Sequence, residues 1–563
     1  MDFTRRRLLQ ASALAVAGAT GTTPGRAAAA LHAAQSGTLI APATIAMQAD
    51  STPTPSYGGI LIGTTDGDIE TFDPAISWEW ANWSMLPNVF EGLLGYKPQS
   101  TELVPLLAAD MPTISEGGAV YTVTLRRGVK FQAPVNREVT ADDVKYSWMR
   151  VLNPETASPG VTFFFDIAGA QEYFQGEAED VSGIQVLDPY TLQIELVEPK
   201  AYFPYIFALT FAMVVPHEIV DQYPKDFSHH AVGTGPFMLK TWVRDQYVDF
   251  VRNPDYWRED LPYLDGVTLK VVTQPTVAVQ QIQRGEADVY TDSAIPPLDY
   301  LQLKSDPRWS NQLFSIPTLR TAYLWMNTAV SPLDNKMVRQ AVAMAIDKEK
   351  IIAVATGGLA QPTGGIFPPG MPCYNPDLET LPYDPARASE LLAEAGYPDG
   401  FSTTILASQS AVSQATVEQV IQSNLAEIGI KADIKLATGS TYTTLLRSKA
   451  NQLGQTSWGA DYPDPSIFID PLLTGAAVGE AGSNFAWYSN PEVNELAAQA
   501  DSTLDESARC DLYHRIEQTI IDDAPWLPLY TPSLVSFISP RVSQFWINPT
   551  YAAFDFMYYQ ISE

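Results

Sequence analysis

The stretch from Val417 to Leu436 constrains the fold more than any other part of the chain. Val417, Val420, Ile421 and Leu425 repeat at the spacing of one helix face, and Gly429 closes the run. Ile430-Lys-Ala-Asp-Ile-Lys-Leu436 then alternates apolar and polar residues with period two. A helix that passes through a tight glycine turn into a half-buried strand is the building unit of an α/β domain. Further helix starts agree. Thr140-Ala-Asp-Asp143 offers a capping threonine with an acid three residues on, ahead of Val144, Trp148, Val151 and Leu152 on one face. Asp384-Pro385 is a cap followed by a first-turn proline, with Ala388, Leu391, Leu392 and Ala395 as the stripe and Gly396 as its stop. After Tyr57-Gly58-Gly59, the run Ile60-Leu61-Ile62 reads as a short buried strand. No repeat of 20–50 residues is visible, so a solenoid or propeller is not indicated. At 563 residues the chain is too long for one core, and two or three lobes are expected.

The N-terminus reads as an address. Residues 1–30 have the layout of a signal peptide: Thr4-Arg5-Arg6-Arg7-Leu8-Leu9-Gln10 resembles the twin-arginine export motif, Leu8 to Ala19 is apolar, and Ala27 to Ala30 offer small residues for cleavage. The apolar run is shorter than the ~20 residues that span a bilayer, and no other stretch approaches that length. No cysteine lies near the cleavage region to accept a lipid. The expected product is exported, periplasmic or extracellular. Residues 31–56 are rich in Ala, Thr, Ser and Pro, a composition that buries little surface, and read as a flexible tether.

Acidic residues outnumber basic ones by 64 to 34, for a formal charge of −30. That balance lacks the basic footprint of a nucleic-acid binder and argues against docking on anionic lipid. A well-solvated surface is the bland reading, and an attraction for cationic solutes the sharper one. Cys373 and Cys510 are too few for a disulfide framework or a cysteine-based metal site. They could bridge in an oxidising compartment, but nothing local brings them together. Of five histidines none falls in a zinc pattern, and His229-His230 reads as a loop before a glycine turn. No nucleophile elbow or phosphate loop occurs, and no metal or cofactor is called for. Paired carboxylates are possible among so many acids, and 12 tryptophans on an exported chain keep a secreted glycoside hydrolase as the rival reading.

A series of segments, taken in order, resembles the family 5 extracellular solute-binding proteins, the capture components of oligopeptide, dipeptide and nickel ABC importers. They begin with Asp73-Pro74 ahead of Asn88-Val-Phe-Glu-Gly-Leu-Leu-Gly-Tyr96, then Tyr121-Thr-Val-Thr-Leu-Arg-Arg-Gly-Val-Lys-Phe131 and Thr140-Ala-Asp-Asp-Val144. Val232-Gly-Thr-Gly-Pro-Phe237 and Arg252-Asn-Pro-Asp-Tyr-Trp257 follow. Asn327, Val338-Arg-Gln-Ala-Val-Ala-Met-Ala-Ile-Asp347, Tyr383-Asp-Pro-Ala-Arg-Ala-Ser-Glu-Leu-Leu392 and Trp458-Gly-Ala-Asp-Tyr-Pro-Asp-Pro465 complete the set. Gly233 and Gly235 suit a tight turn needing positive φ, with the strand Phe237-Met-Leu-Lys behind it. Asp347 reads as a cap for the helix that starts at Lys348. The resemblance implies an α/β, two-lobed periplasmic-binding-protein fold of the large, type II-like kind. Lobe I would comprise 57–100, 225–318 and 528–563, with an inserted subdomain at 101–224, and lobe II 319–527. Hinge crossings would lie near Leu319 to Asn327 and Trp526 to Pro532.

In peptide binders of that family the aspartate of the Trp-x-x-Asp motif pairs with the ligand's α-ammonium, which points to Asp461 with Trp458 beside it. A turn-capping role ahead of Pro463 and Pro465 is the structural alternative. Trp78 and Trp80 fall in a segment that lines the cleft in the oligopeptide binders, and would share one face if extended. Phe163, Phe164 and Phe165, and Tyr442, lie near other contact segments. One departure concerns the cargo: the arginine expected shortly before the tryptophan motif is replaced by Gln455-Thr456-Ser457, which leaves Arg447 and Lys449 as candidates for a ligand carboxylate. The implied function is reversible, non-enzymatic capture of a peptide or other small molecule by a monomer that delivers it to ABC importer permease subunits.

Overall fold

The structure is a computed structural model that describes residues 56–562, apart from 79, 292–294, 410–411 and 551–552. The expected leader at 1–30 and nearly all of the expected tether lie outside the described residues.

Two sheets organise the chain. The first is built from β1 (Ile60–Thr65), β2 (Phe237–Val243), β3 (Tyr247–Arg252), β4 (Gly266–Val271) and β5 (Val289–Tyr290), in the order β5-β1-β4-β3-β2. β1 runs parallel to β4 and β5, while β3 is antiparallel to β2 and β4. Between β1 and β2 the chain forms a four-stranded antiparallel sheet from Thr113–Ile114, Val120–Thr124, Thr191–Glu195 and Ile184–Asp188. Its companion helix, Ala141–Leu152, starts where expected: the Thr140 amide donates to the Asp143 carboxylate at 2.9 Å, and Val144, Trp148, Val151 and Leu152 are buried.

The second sheet comprises β6 (Leu313–Pro317), β7 (Arg320–Met326), β8 (Ala360–Pro362), β9 (Ser402–Ser408), β10 (Lys431–Ala437), β11 (Leu453–Gly459) and β12 (Trp526–Phe537). Its order is β6-β12-β7-β11-β9-β10, with β8 also on β12. β9, β10 and β11 are parallel. The helix Val412–Glu427 carries the chain from β9 out to β10 with Val417, Val420, Ile421 and Leu425 buried, and Gly429 adopts φ +84° at the turn. The helix Gly439–Arg447 then brings it back past β9 to β11. The strand order reverses between β9 and β11, which pair only at Ile405–Leu406 with Leu453–Gly454. In open α/β sheets a reversal of this kind opens a crevice beyond the carboxyl ends of the strands.

The sheets are tied by two segments lying side by side. β12 pairs with β6 from Phe537 to Ser533 and with β7 from Tyr530 to Trp526. Between β6 and β7 the Thr318 amide and hydroxyl both donate to the Pro532 carbonyl, at 3.1 and 2.8 Å. Just past β12, Ile538 bridges to Val289 of the first sheet.

Two local expectations are corrected, and one question left open, the pairing of the cysteines, is answered. Gly233 and Gly235 do not have positive φ; they are glycine because the chain presses on the backbone of Val89, whose carbonyl oxygen would lie 2.1 Å from a Cβ at 233. Trp80 opens the short helix Trp80–Met85, so the segment is not extended and the two tryptophans do not alternate along a strand. Cys373 and Cys510 form a disulfide, because the loop around 373 packs against the helix Glu506–Asp523 across 137 residues of sequence. Asp347 caps its helix as expected, accepting from the Lys350 amide at 2.9 Å. His229 and His230 fall in the short turn Phe227–His230, where His229 contacts Asp226 and His230 stacks on Tyr223.

Because the Val89 carbonyl leaves no room for a methyl group, Gly233→Ala should destabilise the fold by about 1–3 kcal/mol. Urea unfolding followed by tryptophan fluorescence measures this, and an unchanged midpoint would contradict the close approach.

Candidate ligand-binding site

The carboxyl end of β11 carries the candidate site. Arg320, the first residue of β7, pairs in register with Gly459, and its Nη1 donates to the Ser457 hydroxyl at 3.2 Å. A Cβ at Gly459 would stand 2.9 Å from Arg320 Nη2, so the glycine makes room for the guanidinium. Two residues on, the Asp461 carboxylate accepts no hydrogen bond from the described residues and feels the charge of Arg320. Burial pushes its carboxyl up to about 7, with Arg320 pulling the other way. The same burial depresses Arg320, which Asp461 partly restores. Both groups are desolvated and neither fully compensates the other. The turn-capping role falls instead to Asp464, whose carboxylate accepts from the Ser466 amide at 2.9 Å and pairs with Arg509 through both terminal nitrogens.

Trp458 stands half-buried on the opposite face of β11, across from Thr321, and its buried indole N–H has no protein acceptor among the described residues. Aromatic rings extend the site across the molecule. Trp78, 45% exposed, packs on Trp83 and lies 5.9 Å from Phe211; Phe211 reaches Phe163 at 6.0 Å, and Phe163 meets Tyr462 edge-on at 6.3 Å. Beyond Phe163 a cavity of about 360 Å³ separates the inserted segment from the helix Ser466–Leu473. The two sides touch at its rim. The Ala201 amide donates to the Asp501 carbonyl at 2.6 Å, Lys200 pairs with Asp501 at 3.0 Å, and Tyr202 and Tyr205 stack on Tyr462.

Residues 102–480 match the family model for bacterial extracellular solute-binding proteins, family 5. The chain belongs to this family. Among its relatives, the glutathione-binding protein GsiB of Salmonella choleraesuis is 32% identical over 495 residues, spanning 87% of this chain and 92% of its own. Two solved structures share the two-lobed fold. HbpA2 from Haemophilus parasuis superposes with a TM-score of 0.79 at 27% identity, covering 90% of this chain and all of its own. The periplasmic binding protein DppA from Helicobacter pylori, in complex with the peptide STSA, gives 0.73 at 27% identity, covering 90% and 99%. Family and relatives are solute-binding components of transporters, and nothing among them supports a glycoside hydrolase. No described helix is long and apolar enough to cross a membrane.

Within this solute-binding protein the sequence-derived candidates divide. Asp461 precedes Tyr462, which the aromatic relay links to Trp78, whereas Trp458 stands on the other face of β11; the side chain of Trp80 lies outside the described residues. Phe164 is fully buried against Trp148 and faces away, whereas its neighbour Phe163 faces the cavity. Tyr442 reaches the middle of β11, where its hydroxyl donates to the Gln455 carbonyl at 3.3 Å. Arg447 and Lys449 precede β11, so the strand separates them from Asp461. The Lys449 carbonyl holds Asn327 at that far end and its ammonium lies over Trp487. Arg320 escaped the sequence reading because its proximity to Asp461 depends on cross-strand register, which has no local signal.

Asp461 has a folded-state pKa above its ordinary value of 3.8, so the native chain holds the extra proton between about 4 and about 7. Its contribution to stability therefore falls as pH rises through that window. The unfolding midpoint of Asp461→Asn should drop less than that of the parent chain between about pH 5 and pH 8, measured by differential scanning calorimetry. Parallel profiles would contradict a desolvated Asp461.

Proposed function

We propose that the chain is the exported capture subunit of an ABC importer: it closes two lobes on a peptide-like solute, leaves its bonds intact and passes it to membrane permease subunits. The observation that carries this reading is the Asp461 carboxylate, desolvated, without a protein hydrogen-bond donor, and set at the carboxyl end of β11 opposite an aromatic wall. An arriving ammonium supplies the missing partner through a charge-assisted hydrogen bond. Arg320, beside it, carries the opposite charge, so the site favours a solute that bears an ammonium and a carboxylate, as a peptide or an amino-acid derivative does. The relatives named for glutathione and for a bound peptide favour the same class.

We place lobe I at 57–100, 225–318 and 528–563, the inserted subdomain at 101–224 and lobe II at 319–527; the first sheet falls wholly in lobe I, while β6 and most of β12 of the second sheet lie on the lobe I side of these bounds. The adjacent crossings at Thr318 and Pro532 are the natural pivot. Export through a twin-arginine leader, residence in the periplasm and a monomeric state belong to the same proposal.

Mass spectrometry of solute retained through native purification, followed by calorimetric titration of the stripped protein, tests the reading. One equivalent of an unmodified amine-bearing solute is expected, with Asp461→Asn weakening it at least about tenfold. Recovery of a chemically converted product, or unchanged affinity in the variant, would overturn it.

A further inference from the structure

The cavity beyond Phe163 has an electrostatic imbalance of its own. Four carboxylates cluster around it, Asp166, Asp464, Asp470 and Asp501, with two cations, Lys200 and Arg509. Arg509 is engaged by Asp464 through both terminal nitrogens, and Lys200 by Asp501 at 3.0 Å and by the outlying Glu198 at 2.9 Å. The two acids left without a cation are the two that line the cavity. Asp166 accepts from the Tyr202 hydroxyl at 2.8 Å, and the Asp470 carboxylate accepts no hydrogen bond from the described residues. Burial raises both above the ordinary carboxylate value; Lys200 acts on each through space and does not reverse it. The remaining walls mix aromatic and aliphatic surface: Phe163, Tyr202 and Tyr462 present rings beside Ile206, Ile467 and Pro471, and Tyr202 stacks on Tyr462 at 5.7 Å.

Buried carboxylates without a counter-ion are costly unless a cation is supplied or a proton retained. Carboxylates beside aromatic faces form an environment suited to a guanidinium or ammonium, by charge-assisted hydrogen bonds and cation–π attraction. The volume matches the lower end of ligand pockets and admits a long basic side chain. Tyr462, which lines the cavity, directly follows Asp461 in the chain.

We propose that this cavity is a subsite for a second cationic group of the cargo, held between Asp166 and Asp470 against the ring of Tyr462. The inference rests on the reading that the chain captures a solute between its lobes, and it narrows that solute to one with a basic side chain or second amine beyond its ammonium head.

The test is calorimetric titration of the stripped, full mature chain with two tripeptides, Ala-Arg-Ala and its isosteric, uncharged citrulline counterpart. The arginine peptide should bind at least about tenfold more tightly. Asp166→Asn with Asp470→Asn should bring the two within about twofold, chiefly by weakening the arginine peptide; Asp470→Asn alone should reduce the preference if the double variant does not fold. Equal binding of both peptides by the parent chain would overturn the subsite while the capture reading stands. If neither peptide binds, the natively retained solute decides: a basic group beyond the head supports the subsite, and a solute lacking one overturns it. No peptide heat and no retained solute would overturn both proposals.

Discussion

The structure depends on the two segments that tie its sheets together. β12 pairs along one half with β6 and along the other with β7, and Thr318 fixes the change of partner by donating twice to Pro532. Relative movement of the sheets must therefore be absorbed over a few residues in both crossings together, which favours rotation about one line over independent drift. Away from these crossings the halves also meet through Ala201 and Lys200 with Asp501 and through two tyrosines stacked on Tyr462, which is buried in a hydrophobic cluster shared by both halves. A solute that contacts both halves would favour the closed arrangement over an open one.

Charge is arranged on the same plan. The buried ion pairs that hold the walls, Arg509 with Asp464 and Lys200 with Asp501, are locally matched. The groups facing the space between the halves are not. Asp461 retains only the partly desolvated Arg320, and Asp166 and Asp470 have no cation of their own. Removing one partner of a buried pair is costly, so a surface of incomplete pairs is stable only when protonated or occupied. The acidity of the whole chain, −30 by formal count, adds a long-range attraction for cations on top of these local deficits.

Much of the fold was legible because its signals are local. The stripe Val417 to Leu425, the stop at Gly429 and the alternation after it gave helix, turn and strand, and the Thr140, Asp347 and Asp384 caps each accept or close as read. What was not legible depends on distant partners. Gly233 looked like a turn glycine, but Val89, more than a hundred residues earlier, dictates it. The Cys373–Cys510 bridge spans 137 residues, and no spacing rule anticipates it. In the candidate site, the Trp-x-x-Asp motif pointed to Asp461, whereas Arg320, Asp166 and Asp470 belong to a strand, a loop and a helix that meet only in the folded chain. A run of three phenylalanines cannot say which ring turns outward: Phe164 is core and Phe163 lines the cavity.

The central claim, that the halves close on a retained solute about the Thr318–Pro532 crossings, is tested most directly by small-angle X-ray scattering. The same preparation would be compared as purified with its solute and after unfolding, dialysis and refolding without it. The account predicts a larger radius of gyration for the emptied protein and a return to the smaller value when the solute is added back. Identical scattering curves in the two states, with mass spectrometry confirming that solute was present in one and absent from the other, would contradict it.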